Sequence, residues 1–217
     1  MTMDVEYAYK ILCRLRSAFP RVQVDLETDP FRGLILAILS QNTRDMYAYT
    51  AYRNLEEMIG LSIDDIIRAD EESIAEAIRP AGLQMEKARR LREAARFVAG
   101  IGGSLKPILD LPLNEARARL MEIKGIGRKT ADVILLFYGG KPVIPVDTHV
   151  RRVSARLGLT NRGAGYEEIR GRLESLYKPE DYMDVHLLLI ALGRSFCRSR
   201  KPRCSLCPVN DICPSRT

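Results

Sequence analysis

Several things are missing from this 217-residue sequence. No apolar run approaches the roughly 18–20 residues needed to cross a bilayer, so no membrane partner is expected. The N-terminus, MTMDVEYAYKILCRLR, has an acidic start and no apolar core of a secretory signal. An intracellular protein is expected, cytoplasmic or nucleoid-associated if the source is prokaryotic. No stretch alternates with period two for long enough to make a sheet. There is no repeat of fixed length and no low-complexity segment. Cysteine is nearly absent until the tail: four of the five lie after residue 196. In an intracellular protein these are reduced thiols or metal ligands rather than disulfides. The exception, Cys13, occupies an apolar position of the first helical stretch and is expected to be a buried small hydrophobe.

What is present is a globular composition, with 46 % hydrophobic and 29 % charged residues. The net charge of +6 is unevenly spread. Residues 1–100 carry 14 basic and 16 acidic side chains, and residues 101–217 carry 20 and 12. The second half therefore presents the stronger field to a polyanion. Helical periodicity runs nearly throughout, over about 4–18, 30–39, 44–59, 72–79, 86–99, 113–122, 128–138, 148–157, 165–177 and 181–196. Asp29-Pro30 reads as an N-cap followed by proline at the first helical position, and Ser62-Ile-Asp-Asp as a capping signal. The fold class is all-α.

Cys197, Cys204, Cys207 and Cys213 have the spacing C-x6-C-x2-C-x5-C. Four thiolates so close in sequence can converge on structural zinc or on an iron–sulfur cluster. Zinc ribbons bring two short-spaced pairs together across a longer loop. Here one C-x2-C pair has single cysteines on either side, which suits a compact cubane better. Between the first two ligands lie Arg198, Arg200, Lys201 and Arg203. A metal-pinned basic loop makes a good phosphate contact.

Residues 119–137 read as helix, Gly125-Ile126-Gly127 turn, helix. Glycine permits the tight turn, and the first N–H groups of the second helix form an anion site suited to a DNA phosphate. The string h-x-G-h-G-x-x-T-A, with h apolar, is far more specific for a DNA-binding hairpin than G-x-G alone. Lys129 lies in the first turn of that second helix. The positive helix terminus and Arg128 should lower its pKa, making it a candidate amine nucleophile. Asp147 opens the next helix, where it also reads as an N-cap. A ten-residue helix advances about 15 Å and a short extended return covers a similar distance, so the two groups can meet. An amine nucleophile, a carboxylate and an anion site together suggest attack on a sugar carbon next to a phosphate.

The segments Lys124 to Phe137, Val146 to Val153 (VDTHVRRV) and Cys197 to Cys213 closely resemble the endonuclease III family of DNA glycosylases, in the helix-hairpin-helix superfamily. Weaker similarity runs through Pro30-Phe31, LILAILSQNTRD at 34–45, Ala81-Gly82-Leu83 and Lys87-Ala88. The resemblance implies removal of damaged bases from double-stranded DNA with flipping of the nucleotide and cleavage of the strand at the abasic site. It implies that Lys129 forms a Schiff base at C1′ before β-elimination and that Asp147 assists. The tail cysteines would hold a [4Fe-4S] cluster. It further implies two helical domains with a DNA cleft between them. One would span about 23–141; the other would join 1–22 to 142–217 and carry the cluster loop at 197–213. Lys129 and Asp147 would face each other across the junction. Gln41 and Asn42 would fill the hole left by the flipped base, and Leu83 would be a wedge beside the estranged base. Gly125, Ile126, Gly127, Arg128, His149, Arg151, Arg200, Lys201 and Arg203 would contact the backbone. His186 would be structural, and the protein would act as a monomer.

Two departures bear on the substrate. Lys124 stands where the endonuclease III hairpin commonly has proline. The SQNT string at 40–43 is similar to some alkylbase glycosylases of the superfamily. Oxidised pyrimidines are the expected lesions; the alternatives are a same-fold glycosylase for alkylated or deaminated bases, and a non-catalytic DNA-binding module with structural zinc.

Overall fold

The computed structural model describes residues 3–20 and 27–216. Among these residues the chain forms α-helices and short 3-10 turns, with no strand. It divides into two compact units, Leu26–Lys141 and a discontinuous one made of Met1–Asp25 with Pro142–Thr217. The expected boundary at residues 22–23 lies outside the described residues.

The continuous unit contains α2 (Pro30–Leu39), α3 (Asp45–Met58), α4 (Ile63–Arg68), α5 (Glu71–Ala77), α6 (Gln84–Gly100), α7 (Lys106–Asp110), α8 (Leu113–Met121) and α9 (Arg128–Phe137). Its centre is α2, which buries Phe31, Leu34, Ile35, Ile38 and Leu39 and packs against α3, α6 and α9. Asp29 caps it, accepting from the Phe31 N–H at 2.9 Å, and Pro30 sits where no N–H is needed. Gly33 is required for the close approach to α9: a Cβ there would lie 2.2 Å from the Tyr138 ring. The expected cap at Ser62 is a reciprocal capping box with Asp65. The five-residue α7 has no counterpart among the periodic stretches; it is too short to show a period.

The other unit contains α1 (Met3–Ala18), α10 (Thr148–Arg156), α11 (Tyr166–Leu176) and α12 (Tyr182–Ser195). α1 buries Ala8, Ile11, Leu12 and Leu15 and packs against α11 and α12. Cys13 is exposed, contrary to expectation. It lies one residue past Leu12, about 100° around the helix, and turns off the buried stripe. The Tyr7 hydroxyl donates to the carbonyls of Leu157 (3.0 Å) and Ile212 (2.9 Å), tying α1 to the end of α10 and to the cysteine tail. His186 on α12 is buried, its Nδ1 2.9 Å from the Pro145 carbonyl.

Candidate functional site

The hairpin is built from the ends of α8 and α9. Ile123 and Ile126 are buried, and the Ile126 N–H closes the turn on the Ile123 carbonyl at 2.9 Å. Gly125 has φ +87° and Gly127 caps α9 in extended geometry. A Cβ on Gly125 would also strike the Arg90 side chain at 2.6 Å. With the isoleucines as roots, the turn leaves Lys124, Gly125, Gly127, Arg128 and Lys129 at the surface. Below them Asp132, wholly buried on α9, pairs with Arg117 of α8, the guanidinium reaching Oδ1 at 2.7 Å and Oδ2 at 3.1 Å. That ion pair and the packing of Ile134 and Leu135 fix α8 against α9.

Two neighbouring segments of the same unit hold further expected residues. Gln41, just past α2, donates from Nε2 to the Gly125 carbonyl (3.2 Å) and the Thr130 hydroxyl (3.3 Å). Its Oε1 accepts from Arg90. Asn42 is exposed with φ +55°. Leu83 precedes α6 with φ +53° and is 54 % exposed. An exposed leucine in the left-handed region is costly twice over, so its position is a maintained feature rather than loose packing.

In the discontinuous unit Asp147 is the N-cap of α10, with Oδ1 accepting from the Val150 N–H at 2.7 Å. The chain before it, Val143 to Val146, is buried and has no regular secondary structure. Arg151 is exposed and donates to the Ala164 carbonyl at 2.5 Å. Arg152 reaches the carbonyls of Cys197 and Gly193, both at 3.0 Å, and stands 3.1 Å from His149 Nδ1. Arg156 donates to the carbonyls of Arg198 (2.6 Å) and Ser199 (3.2 Å), and to Cys197 Sγ at 3.6 Å. Its own carbonyl lies 3.6 Å from Cys213 Sγ. Sequence reasoning counts Arg152 with Arg151 among the basic groups lining a DNA cleft and does not single out Arg156, because an inward-turned arginine leaves no mark on a basic helix.

Cys197, Cys204, Cys207 and Cys213 all line one cavity of about 520 Å³, together with Arg152, Arg156, Leu192 and Phe196. Among the described residues no three His, Cys, Asp or Glu side chains are grouped to hold a metal ion. Burial pushes the Cys207 thiol up, and the thiols of Cys197, Cys213 and Cys204 add to the shift. A cationic centre shared by the four sulfurs would relieve that repulsion, and Arg152 and Arg156 beside the cavity suit the net negative charge of such a cluster. The residues fit an iron–sulfur cluster. The loop's Arg200, Lys201 and Arg203 are exposed, Lys201 with φ +48°.

Residues 35–179 match the HhH-GPD superfamily base excision DNA repair protein family, and residues 197–213 match the iron–sulfur binding domain of endonuclease III. The chain is 39 % identical to endonuclease III of Sulfolobus acidocaldarius over 184 residues, which covers 84 % of this chain and 81 % of that one. It superimposes with a TM-score of 0.86 and 29 % identity on a trapped endonuclease III–DNA covalent intermediate, over 99 % of this chain and 97 % of the other. A thermostable thymine-DNA glycosylase shares the fold, with a TM-score of 0.77 and 23 % identity over 97 % and 96 % of the two chains.

Proposed function

Because this chain belongs to the endonuclease III family of base excision repair DNA glycosylases, we propose that it excises oxidised pyrimidines and cleaves the resulting abasic site through Lys129. The observation that carries this reading is the placement of Lys129: an exposed amine in the first turn of a helix that begins at a glycine hairpin rooted in the core. The backbone N–H groups of such a turn favour a phosphate, which would bring the adjoining sugar within reach of the amine.

In this mechanism Lys129 attacks C1′ as the neutral amine. The C1′–N bond to the base breaks and the base leaves. Asp147 takes up the proton released from the amine and stabilises positive charge on the sugar. The protonated Asp147 returns its proton to O4′ as the ring opens to a Schiff base; water takes a C2′ proton as the C3′–O bond breaks and the 3′ phosphate leaves, and a second water hydrolyses the imine. Asn42 with Gln41 fills the space left by the flipped nucleotide, and Leu83 wedges beside the unpaired partner base. His149 and Arg151 serve the phosphodiester backbone. The [4Fe-4S] cluster on Cys197, Cys204, Cys207 and Cys213 supplies a covalent staple for the loop, from which Arg200, Lys201 and Arg203 reach phosphates. One chain supplies every part, so the protein acts as a monomer on double-stranded DNA.

Borohydride trapping on an abasic duplex tests the chemistry. Wild type forms a covalent adduct and Lys129→Ala forms none; equal trapping by both removes Lys129 from the mechanism. A panel of duplexes carrying one lesion each tests the substrate, with thymine glycol expected to be cleaved best. The SQNT sequence at 40–43 favours the second reading, a glycosylase for alkylated or deaminated bases, and strong preference for a methylated purine would establish it.

A further inference from the structure

Lys87, on the first turns of α6, is only 1 % exposed. Its Nζ donates to two backbone carbonyls, Leu39 at 2.7 Å and Ala81 at 2.9 Å. These acceptors are 42 residues apart in sequence, and each closes an element. Leu39 is the last residue of α2, and Ala81 ends the 3-10 turn Arg79–Ala81. Each also stands just before a non-glycine residue in the left-handed region: Asn42 follows Leu39 by three residues, and Leu83 follows Ala81 by two. Side chains with a Cβ avoid that region, so both conformations need support from outside their own segments.

A lysine is an expensive choice for such a place. Burial, and then the Arg90 guanidinium, push its pKa down to about 8, against a small opposing effect of Glu86. An apolar side chain would fill the same volume without that desolvation. What it could not do is satisfy two carbonyls at the ends of two separate elements. One helical turn further along α6, Arg90 holds the Gln41 side chain, and its stem packs where a Cβ on Gly125 would be. The same face of α6 therefore grips the 39–42 segment twice, at the Leu39 carbonyl and at the Gln41 side chain, and the 81–83 segment once, at the Ala81 carbonyl.

We propose that Lys87 is a positioning residue that clamps the 39–42 and 81–83 segments, through the carbonyls of Leu39 and Ala81, into one rigid unit, so that the gap-filling group and the wedge enter the duplex together. The proposal rests on the roles given above to Asn42, Gln41 and Leu83. It assigns Lys87 no contact with DNA. Its effect is on discrimination: a protein with the clamp open still meets the backbone through the hairpin but no longer gains from a gap in the base stack.

Two affinities read this out, measured by fluorescence anisotropy on an intact duplex and on the same duplex carrying one tetrahydrofuran abasic analogue. Lys87→Met keeps the length of the side chain and removes its donors. Its preference for the abasic duplex is expected to fall at least tenfold, with intact-duplex affinity and the far-UV circular dichroism unchanged. Lys87→Gln retains an N–H that can reach one carbonyl and should fall between; it also carries the test if Lys87→Met does not fold. Leu83→Ala should lose preference to a similar degree, and adding Lys87→Met to it should cost little more, because the two act as a unit. Wild-type preference in both Lys87 variants overturns the proposal. So does equal weakening on both duplexes, which marks general destabilisation. A wild-type protein that does not itself prefer the abasic duplex overturns the roles of the 40–42 and 82–83 segments, and the clamp with them.

Discussion

The hairpin at 123–129 and the cysteine loop at 197–213 both present basic side chains at the surface, yet they are held by opposite means. The hairpin is rooted: Ile123 and Ile126 are buried, and α8 and α9 are locked by a buried ion pair and an apolar seam. In the loop only Val209 is buried, and regular structure is limited to the 3-10 turns Cys204–Leu206 and Asn210–Ile212. Its order comes from Arg152 and Arg156, which grip its first carbonyls from α10, and would be completed by the cluster proposed on its four thiols. A basic surface can thus be made rigid by packing or, on the cluster proposed here, by chelation. The two should fail under different insults.

The largest effect should follow loss of a thiol. Cys204→Ser is expected to lose the cluster's visible absorbance, expose 197–216 to protease, and lower the Tm of the discontinuous unit by several degrees or more. The helical signal of the continuous unit should survive, and urea melts followed by circular dichroism would resolve the two. Next comes the reverse insult. Asp132→Asn removes the buried carboxylate charge opposite Arg117 and should cost about 3–5 kcal/mol by chemical denaturation, while iron content stays unchanged. A loss of iron in that variant would show that the two regions are not independent.

Lys87 gives a pH signature confined to the packed region. Its pKa is about 8 in the fold and ordinary in the unfolded chain, so above pH 8 the unfolded state binds more protons and stability rises with pH. The Tm of wild type minus that of Lys87→Met should therefore shift in favour of wild type between pH 7.5 and pH 10 (values about the fold's own pKa), measured by differential scanning fluorimetry. The smallest effect belongs to the loop's exposed charge. Arg203→Ala should leave the Tm unchanged and reduce the salt dependence of intact-duplex binding by a slope of about 1.

The sequence was most readable where function and local backbone chemistry coincide. The cysteine spacing, the G-I-G turn and the caps at Asp29, Ser62 and Asp147 each constrain a few consecutive residues, and each is where the sequence placed it. What could not be read is long-range. Lys87 lies in Glu-Lys-Ala-Arg-Arg-Leu-Arg, where nothing separates the one buried cation from its solvated neighbours. Gln41 was legible as a residue of interest, but its tether to Gly125, Thr130 and Arg90 depends on three distant segments. Cys13 shows the same limit in reverse: an apolar residue one position off the buried stripe reads as core and lies outside it.

The single hydroxyl of Tyr7 has a consequence for the order of events when the chain folds. Its two acceptors, Leu157 and Ile212, are 150 and 205 residues away. During vectorial synthesis the segment between α1 and residue 142 is complete, and free to fold, well before either acceptor has been made. α1 must therefore wait with Ile11, Leu12 and Leu15 uncovered while another unit matures in between. The hydroxyl then acts as a late fastener, closing a loop of 205 residues only after the cysteine tail has emerged.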